Sequence, residues 1–345
     1  MKILLVGLGS IGQRHARNLR ALIGDDLDLL AYRVRGRPHV ISASLTVDAD
    51  ADVETRLGVR RVATLDAALA ERPDAVVVAN PNPAHLPVAL AAARAGCHLF
   101  IEKPISHELA GLDEFEALVA ERQLVCFVAY QLRFHPGVRA LQRMLADRAV
   151  GRVISARVLF GEYLPAWHPY EDYRETHPAR RALGGGVLLS QVHDLDLVYA
   201  LFGRPTRMFA LGGHLSDLEI DVEDTASLLM EVRVDGRPVP VHVHQDYLQR
   251  PPRRVYDVIG EAGRVTLDFG RQVLERVDAA GEIVEACAFP GFERNTMFLE
   301  EMRHFLACVA GDETPRVTLR DAEQSLRMAL AARTSLETGR VVEFP

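Results

Sequence analysis

The chain has 345 residues, about twice the usual size of a single domain, so two domains are expected. Hydrophobic residues make up 48% and charged residues 25% of the sequence, which excludes a largely disordered chain. The net charge of -7 argues against non-specific binding to nucleic acid or to an anionic membrane.

The four cysteines are scattered along the chain without a C-x-x-C pair. This pattern argues against a disulfide framework and a thiolate zinc site, and it favours reduced thiols in the cytoplasm. No His, Asp and Glu spacing resembles a metal motif, so no metal site is predicted. No stretch approaches the ~20 apolar residues that span a bilayer, and the apolar N-terminus is too short for a signal peptide. We therefore expect a soluble cytoplasmic protein.

The first ~130 residues alternate short apolar runs with longer amphipathic stretches, which is typical of a parallel sheet covered by helices. Strands are predicted at Lys2–Val6, Asp28–Tyr32, Ala75–Val78, His98–Ile101 and Leu124–Ala129. Helices are predicted at Ile11–Leu22, Thr64–Glu71, Ala84–Ala95 and Leu109–Glu121. Residues 1–128 should therefore form an α/β domain.

A different pattern begins after Tyr130, with longer strands joined by tight turns such as Val234-Asp235-Gly236. Strands are predicted at Val153–Glu162, Ala226–Val234, Val239–Leu248, Arg254–Gly260 and Arg264–Asp268. Helices are predicted at Pro136–Ala146, Gly186–Phe202, Thr296–Ala310 and Leu319–Thr338. Residues 129–345 should form an α+β domain with a large, mostly antiparallel sheet and helices on one face.

A glycine-rich turn opens the chain between the first strand and the first helix. The hexapeptide Gly7-Leu8-Gly9-Ser10-Ile11-Gly12 reads G-x-G-x-x-G in the strand–turn–helix context of a dinucleotide site. Gly7 makes the tight turn, Gly9 lets the backbone approach a pyrophosphate, and Gly12 allows close packing of helix on strand. The helix N-terminus offers free N–H groups to the anion. The alternative is an ordinary turn that happens to contain glycines.

The second predicted strand ends at Ala31-Tyr32-Arg33, and Arg35 and Arg37 follow. NAD enzymes usually place Asp or Glu here against the adenosine ribose, and this stretch offers no carboxylate. A guanidinium at Arg33 can hold a 2′-phosphate bidentately and stack on adenine. We therefore predict NADP as the preferred cofactor over NAD; the alternative is that the three arginines form a solvated surface cluster.

Two further motifs give the chain a family resemblance. Glu102-Lys103-Pro104 follows the strand near residue 100, and Gly184-Gly185-Gly186 precedes a helix that carries His193 and Asp196 as His-x-x-Asp. With the N-terminal glycine motif, this combination resembles the Gfo/Idh/MocA oxidoreductases over essentially the whole chain. The resemblance implies a Rossmann dinucleotide-binding domain over 1–128 and a substrate-binding and oligomerisation domain over 129–345. It implies nicotinamide-dependent hydride transfer on sugars, cyclitols and related polyols.

The expected chemistry assigns roles to two side chains. Hydride transfer from a secondary alcohol needs a group that takes the hydroxyl proton and a donor that stabilises the developing alkoxide. Lys103 follows a strand at the sheet edge where ligands of open α/β sheets bind, and His193 suits proton transfer near neutral pH. The resemblance places Glu102 at the nicotinamide-side ribose. The alternatives are a surface lysine in a loop and a structural helical histidine.

The sequence departs from the family pattern just before His193. The family commonly carries Asp one turn earlier, where this chain has Leu189 and Ser190. Ser190 can hydrogen-bond a substrate hydroxyl but cannot relay charge as a carboxylate would. Asp196 lies three residues after His193, close enough to orient its ring.

Further candidates flank these groups. Asn80, Asn82 and His85 lie between a strand and a helix and should flank the dinucleotide, although His85 reads equally well as a structural first-turn residue. Alternation along the next strand would place Gln131 and Arg133 on one face, near cofactor and substrate respectively.

Aromatic and basic residues of the second domain suggest the substrate. Trp167, His168 and Tyr173 would line a sugar pocket by stacking and hydrogen bonding, or they merely anchor a long loop. Arginines that cluster around 133, 174 and 250–254 favour an anionic sugar, or they are solvated.

The first functional hypothesis is therefore an NAD(P)-dependent dehydrogenase or reductase acting on a sugar, cyclitol, sugar acid or nucleotide sugar. An NAD-dependent hydrolase or eliminating enzyme with transient oxidation, and a non-catalytic dinucleotide sensor, remain alternatives. Because only one face of the second sheet has covering helices, the other face is expected to pair subunits into a homodimer or homotetramer.

Overall fold

The computed structural model describes residues 1–34, 39–42, 45–48 and 52–344, so Arg35 and Arg37 lie outside the described residues. The chain divides into two compact units. The first comprises Met1–Gln131, His168–Glu171 and Arg294–Glu323, and the second comprises Leu132–Trp167, Asp172–Glu293 and Gln324–Pro345. The predicted domain boundary after residue 128 lies close to Gln131, and the return of residues 294–323 to the first unit has no signal in the sequence pattern.

The strands up to residue 130 are β1 (Lys2–Val6), β2 (Asp28–Tyr32), β3 (Val40–Ile41), β4 (Val47–Asp48), β5 (Arg60–Arg61), β6 (Ala75–Val78), β7 (His98–Glu102) and β8 (Cys126–Ala129). The helices among them are α1 (Ser10–Ile23), α2 (Val53–Leu57), α3 (Leu65–Ala70), α4 (His85–Arg94) and α5 (Leu112–Glu121). Six of these strands form a parallel sheet in the order β5-β2-β1-β6-β7-β8, while β3 and β4 pair antiparallel. Every residue of β6 is buried, as expected for a strand covered on both faces.

The later strands are β9 (Val153–Gly161), β10 (Pro205–Gly213), β11 (Thr225–Val234), β12 (Arg237–Asp246), β13 (Arg253–Gly260), β14 (Gly263–Asp268), β15 (Val273–Asp278), β16 (Ile283–Ala288) and β17 (Val342–Glu343). The helices are α6 (Pro136–Ala146), α7 (Val187–Ser190), α8 (His193–Phe202), α9 (Arg294–Ala310) and α10 (Leu319–Thr338). The strands form a sheet in the order β16-β15-β14-β13-β9-β12-β11-β10-β17. All neighbours pair antiparallel except β9 with β12, so the predicted, mostly antiparallel sheet is confirmed, and the one parallel pair makes it mixed.

The two faces of this second sheet differ in burial. On one face Leu228 and Val243 are 0% exposed, whereas Leu229, the next residue along β11, is 57% exposed on the other face. Leu211 on β10 is 63% exposed on the same open face, because β10 and β11 pair in register. Among the helices of the described residues, none has the length and apolar character needed to cross a membrane.

Two local predictions are wrong. The predicted helix Gly186–Phe202 is two helices, α7 and α8, because the side-chain amide of Gln245 on β12 donates to the Gln191 carbonyl at 2.6 Å and competes for it with the helical N–H groups. Residues 131–134 form a 3₁₀ turn instead of continuing the strand, so alternation cannot place Gln131 and Arg133 on one face. β8 ends at Ala129, and α6 begins only six residues after Tyr130, at Pro136, which leaves room for a single turn.

Candidate active site

The glycine-rich turn between β1 and α1 has little room for side chains at two of its glycines. Gly7 has a φ of +102°, and a Cβ atom there would lie 2.6 Å from the Ala79 carbonyl oxygen at the end of β6. A Cβ atom on Gly12 would lie 2.1 Å from the Gly7 carbonyl oxygen. Both positions therefore require glycine for backbone conformation and packing.

Gly9 is glycine for a different reason. A Cβ atom there would meet no heavy atom of the described residues within 4 Å, so protein packing does not demand glycine at this position. Gly9 is the N-cap of α1, and no side chain of the described chain makes a capping hydrogen bond there. The first turn, which contains Ser10 and Ile11, carries no acidic residue. The open surface over Gly9 and the bare N–H groups of α1 fit the pyrophosphate of a dinucleotide.

Arg33, which follows β2, has a carboxylate partner from another part of the chain. The Arg33 side chain is 10% exposed, and its Nη2 lies 2.5 Å from Oε1 of Glu54 on α2. The stretch after β2 offers no carboxylate, but Glu54 on α2 places one beside Arg33. Glu54 could not be predicted from the sequence, because α2 has only five residues and carries no helical period.

Three predicted site residues follow neighbouring parallel strands. β6, β7 and β8 lie side by side in register, and Asn80, Lys103 and Gln131 come one to two residues after their ends. Because parallel strands end at one edge, these residues share the carboxyl edge of the sheet, where open α/β sheets bind ligands. Lys103 directly follows the last residue of β7.

Glu102, the last residue of β7, is buried and hydrogen-bonded to a histidine. Nε2 of His15 on α1 lies 2.7 Å from Glu102 Oε1, and Glu102 is 8% exposed. Burial by itself would raise the pKa of Glu102, but the hydrogen bond and charge of His15, with the charge of Lys103, lower it below its ordinary value. His15 was not predicted as a site residue, and its one signal in the sequence is its place three residues after Gly12.

His85 connects two loops of the same edge. Its Nδ1 lies 2.7 Å from the Pro104 carbonyl oxygen and its Nε2 lies 2.7 Å from the Asn80 carbonyl oxygen. The ring is 1% exposed, and this burial lowers its pKa, although the two backbone hydrogen bonds oppose the shift. Both ring nitrogens face backbone carbonyls, so His85 connects the loop around Asn80 and Asn82 to the Lys103-Pro104 segment.

In the second unit, His193 is the first residue of α8 and Ser190 is the last of α7. Both are buried, with 6% and 5% of their surface exposed. The Ser190 hydroxyl interacts with the phenol of Tyr247, whose pKa burial raises well above its ordinary value. Tyr247 therefore stays a neutral hydrogen-bonding group beside Ser190.

The two aspartates after His193 bind arginines. Asp194 accepts a 2.5 Å hydrogen bond from the Tyr256 hydroxyl and a 3.2 Å bond from Arg254. Asp196 accepts a forked pair of bonds from Arg133, at 2.8 and 2.6 Å. The charges of these two arginines are thereby neutralised inside the second unit. The suggested action of Asp196 on the His193 ring stays a prediction.

The predicted pocket residues lie in separate surroundings. Trp167 packs edge-on against Tyr247 with ring centroids 5.3 Å apart, and the Tyr173 hydroxyl accepts from the Glu219 backbone N–H. His168 pairs with Glu171 at 2.9 Å, both within the first unit. Within residues 1–34, 39–42, 45–48 and 52–344, no group of three or more His, Cys, Asp or Glu could hold a metal ion.

Comparison with known families identifies the chain. A family model described as an oxidoreductase family with an NAD-binding Rossmann fold matches residues 1–130. The model of the GFO/IDH/MocA C-terminal domain matches residues 138–266. The chain belongs to the Gfo/Idh/MocA oxidoreductase family.

Relatives of this Gfo/Idh/MocA oxidoreductase span its full length. It is 28% identical to myo-inositol 2-dehydrogenase of Thermotoga maritima, over 100% of this chain and 98% of the relative. It is 27% identical to 1,5-anhydro-D-fructose reductase of Ensifer adhaerens, over 91% of this chain and 93% of the relative. The crystal structure of GenD2 from gentamicin A biosynthesis, in complex with NAD, matches with a TM-score of 0.80 and 26% identity, over 100% of this chain and 96% of that chain. The predicted family, fold and enzyme class are confirmed.

Proposed function

We propose that this Gfo/Idh/MocA oxidoreductase interconverts a secondary alcohol and a ketone on a neutral sugar or cyclitol, with a nicotinamide dinucleotide as hydride carrier. One observation carries the proposal: the first unit combines the open Gly9 surface at the α1 N-terminus with Lys103 at the carboxyl edge of the same sheet. The names of the relatives, an inositol dehydrogenase and an anhydrosugar reductase, support this substrate class.

The residues of this chain would handle the proton and the developing charge. When bound, the nicotinamide supplies the hydride acceptor or donor. The Lys103 ammonium donates a hydrogen bond to the substrate oxygen and stabilises alkoxide charge, and the His193 imidazole takes the hydroxyl proton. Ser190 offers a hydroxyl to a neighbouring substrate hydroxyl, in place of the carboxylate that the family commonly has there. Glu102, as a carboxylate, accepts hydrogen bonds from ribose hydroxyls.

Three arginines of the second unit are already paired with carboxylates, which favours a neutral substrate over an anionic one. Arg133 and Arg254 are already paired with Asp196 and Asp194, and Arg174 is paired with Asp172 and Glu219. An anionic substrate would have to displace these carboxylates. The indole N–H of Trp167, by contrast, has no hydrogen-bond partner in the described part of the chain and suits a sugar hydroxyl.

A substrate panel tests the proposal against its alternatives. Cyclitols, neutral sugars, sugar acids and nucleotide sugars are incubated with NAD or NADP, and reduced cofactor is measured against product. We expect one equivalent of reduced cofactor per ketone formed, with a cyclitol or neutral sugar as the best substrate. Product without net cofactor reduction would identify the transient-oxidation hydrolase, and binding without turnover would identify the sensor.

NADP is proposed as the preferred cofactor because of Arg33. Its guanidinium, held near the end of β2 by Glu54, can exchange part of that contact for a 2′-phosphate. Arg33→Ala is expected to raise KM for NADP about tenfold or more and to leave KM for NAD nearly unchanged. Arg56→Ala, an exposed arginine on the same helix as Glu54, is the control. A wild-type enzyme that prefers NAD would contradict the proposal.

The open sheet face is proposed to join subunits into a homodimer or homotetramer in the cytoplasm. Leu211 and Leu229 give this face an apolar strip that water contacts in the isolated chain. Light scattering should report a mass of at least twice 38.2 kDa, and Leu229→Arg should reduce it. Leu215→Arg, at a similarly exposed leucine in the loop after β10, should leave the mass unchanged. A monomeric wild type would reject the proposal.

A further inference from the structure

Glu301 on α9 is a buried acid that the mechanism above does not use. It is 0% exposed, and neither carboxyl oxygen has a hydrogen-bond partner among the residues that the structure describes. The helix around it belongs to the first unit, together with β7 and α1. A charged side chain in the middle of an apolar helix face calls for a physical explanation.

The packing of α9 places Glu301 next to the hydrogen-bonded Glu102–His15 pair. Phe298, one turn before Glu301, packs its ring edge 6.4 Å from the His15 ring. Phe305, one turn after it, packs edge-on 5.4 Å from Phe100. Phe100 lies two residues before Glu102 on β7, so the two side chains share one face of the strand. Glu301 therefore lies over the face of the sheet from which Glu102 reaches His15.

A carboxylate without a partner is costly in such a place, and a buried acid avoids that cost by keeping its proton. We propose that Glu301 is a positioning residue of the cofactor site: as a neutral acid beside the Glu102–His15 pair, it leaves the negative charge of this cluster on Glu102 and so keeps Glu102 directed toward the strand end that carries Lys103. The proposal rests on the proposed function, in which Glu102 binds the cofactor ribose.

The electrostatics of the cluster agree with this assignment. Burial, and secondarily the negative charge of Glu102, raise the pKa of Glu301 well above its ordinary value. The pKa of Glu102 is lowered, so the two carboxyls titrate far apart. The other charged or titratable groups packed around the cluster are His15 and Arg14 on α1, Lys103 after β7, His85 on α4, and Arg294 and His304 on α9.

The dependence of folding stability on pH has a definite sign. Between the ordinary pKa of glutamic acid and the raised pKa of Glu301, the folded chain holds a proton that the unfolded chain releases. Stability therefore falls as pH rises through this window, and Glu301 contributes about a tenfold increase in the unfolding constant per pH unit. Glu301→Gln keeps the shape and the neutral charge without the proton, so this contribution should disappear.

The experiment compares the full-length wild type with Glu301→Gln from about pH 5 to about pH 9, in urea unfolding and in calorimetric binding of the reduced dinucleotide, without any substrate. We expect the unfolding constant of the variant to lack the roughly tenfold increase per pH unit that Glu301 contributes in the wild type. We also expect wild-type dinucleotide affinity to fall relative to that of the variant once the pH exceeds the raised pKa of Glu301, because ionised Glu301 repels Glu102. Glu300→Gln, at a partly exposed neighbour paired with Arg303, should behave like wild type.

A second variant, Glu301→Leu, keeps the proposal testable if Glu301→Gln does not fold. Because Glu301 has no hydrogen-bond partner in the described chain, an apolar replacement should be at least as stable as wild type near neutral pH. Identical pH profiles for wild type and Glu301→Gln, or marked destabilisation by both replacements, would overturn the proposal. Failure of the proposed function would instead appear as absent turnover in the substrate panel, which none of these measurements requires.

Discussion

Lys103→Met is expected to lower kcat with the best polyol substrate by about a hundredfold or more. The variant keeps the apolar stem but loses the ammonium that stabilises charge on the substrate oxygen. Dinucleotide affinity should change by less than about threefold, because the phosphate surface over Gly9 lies at a different strand end. Steady-state kinetics together with calorimetric binding of the dinucleotide measure the two effects separately.

The composition of the chain supplies a control for this variant. The sequence has two lysines, Lys2 and Lys103, among 40 basic residues, so cationic positions are otherwise filled by arginine. Lys2→Met removes the other amine, which bonds to the Glu71 carbonyl oxygen, and should leave kcat unchanged. Lys103→Arg keeps the charge but changes the geometry and cannot release a proton, and it should recover little activity. Turnover of Lys103→Met at the wild-type rate would refute the assigned role.

His193→Gln is the second variant with a large expected effect. Removing a proton-transfer group typically costs on the order of a hundredfold to ten-thousandfold in rate, so kcat should fall by at least a hundredfold. The limb of the pH profile of kcat/KM that reports the general base should disappear with it. His214→Gln, at an exposed histidine in the loop after β10, is the matched control and should change neither. The pH profile separates this role from a structural one, which would leave its shape intact.

Combining the two changes tests whether both groups act on the same substrate hydroxyl. If they do, Lys103→Met/His193→Gln should be far less impaired than the product of the single effects, since residues that act as a unit are non-additive. Fully multiplicative losses would show that the two side chains serve separate steps or separate sites.

Local sequence patterns identified the elements whose burial is uniform. β1, β2 and β6 begin and end where the apolar runs predict, because a strand buried on both faces reads as a continuous hydrophobic segment. α6 begins at Pro136 and ends at Ala146 as predicted; proline favours the first helical position, and the His135 side chain caps the helix. Short elements such as α2 escaped prediction, since five residues carry no readable period.

The candidate site also contains residues that a local sequence pattern marks and residues that it does not. The glycine motif and Lys103 could be found because each follows a strand whose end the local pattern marks. Glu54 and Glu301 could not, because each matters through a partner distant in sequence: Arg33 for the first, and the Glu102–His15 pair for the second. For Glu301, the one local signal is an acidic residue within the buried stripe of α9.

Sequence alone determined the fold class and located the glycine-rich turn and the two residues proposed for proton chemistry, and its motifs carried the resemblance to the oxidoreductase family. The fold class and the turn follow from backbone requirements and burial patterns that act over a few neighbouring residues. The tertiary structure decided the pairing of the charged groups: which arginines are neutralised, which carboxylate contacts His15 and which acid is buried without a hydrogen-bond partner in the described chain. Desolvation and Coulomb interactions depend on distance through space, and a linear sequence does not contain those distances.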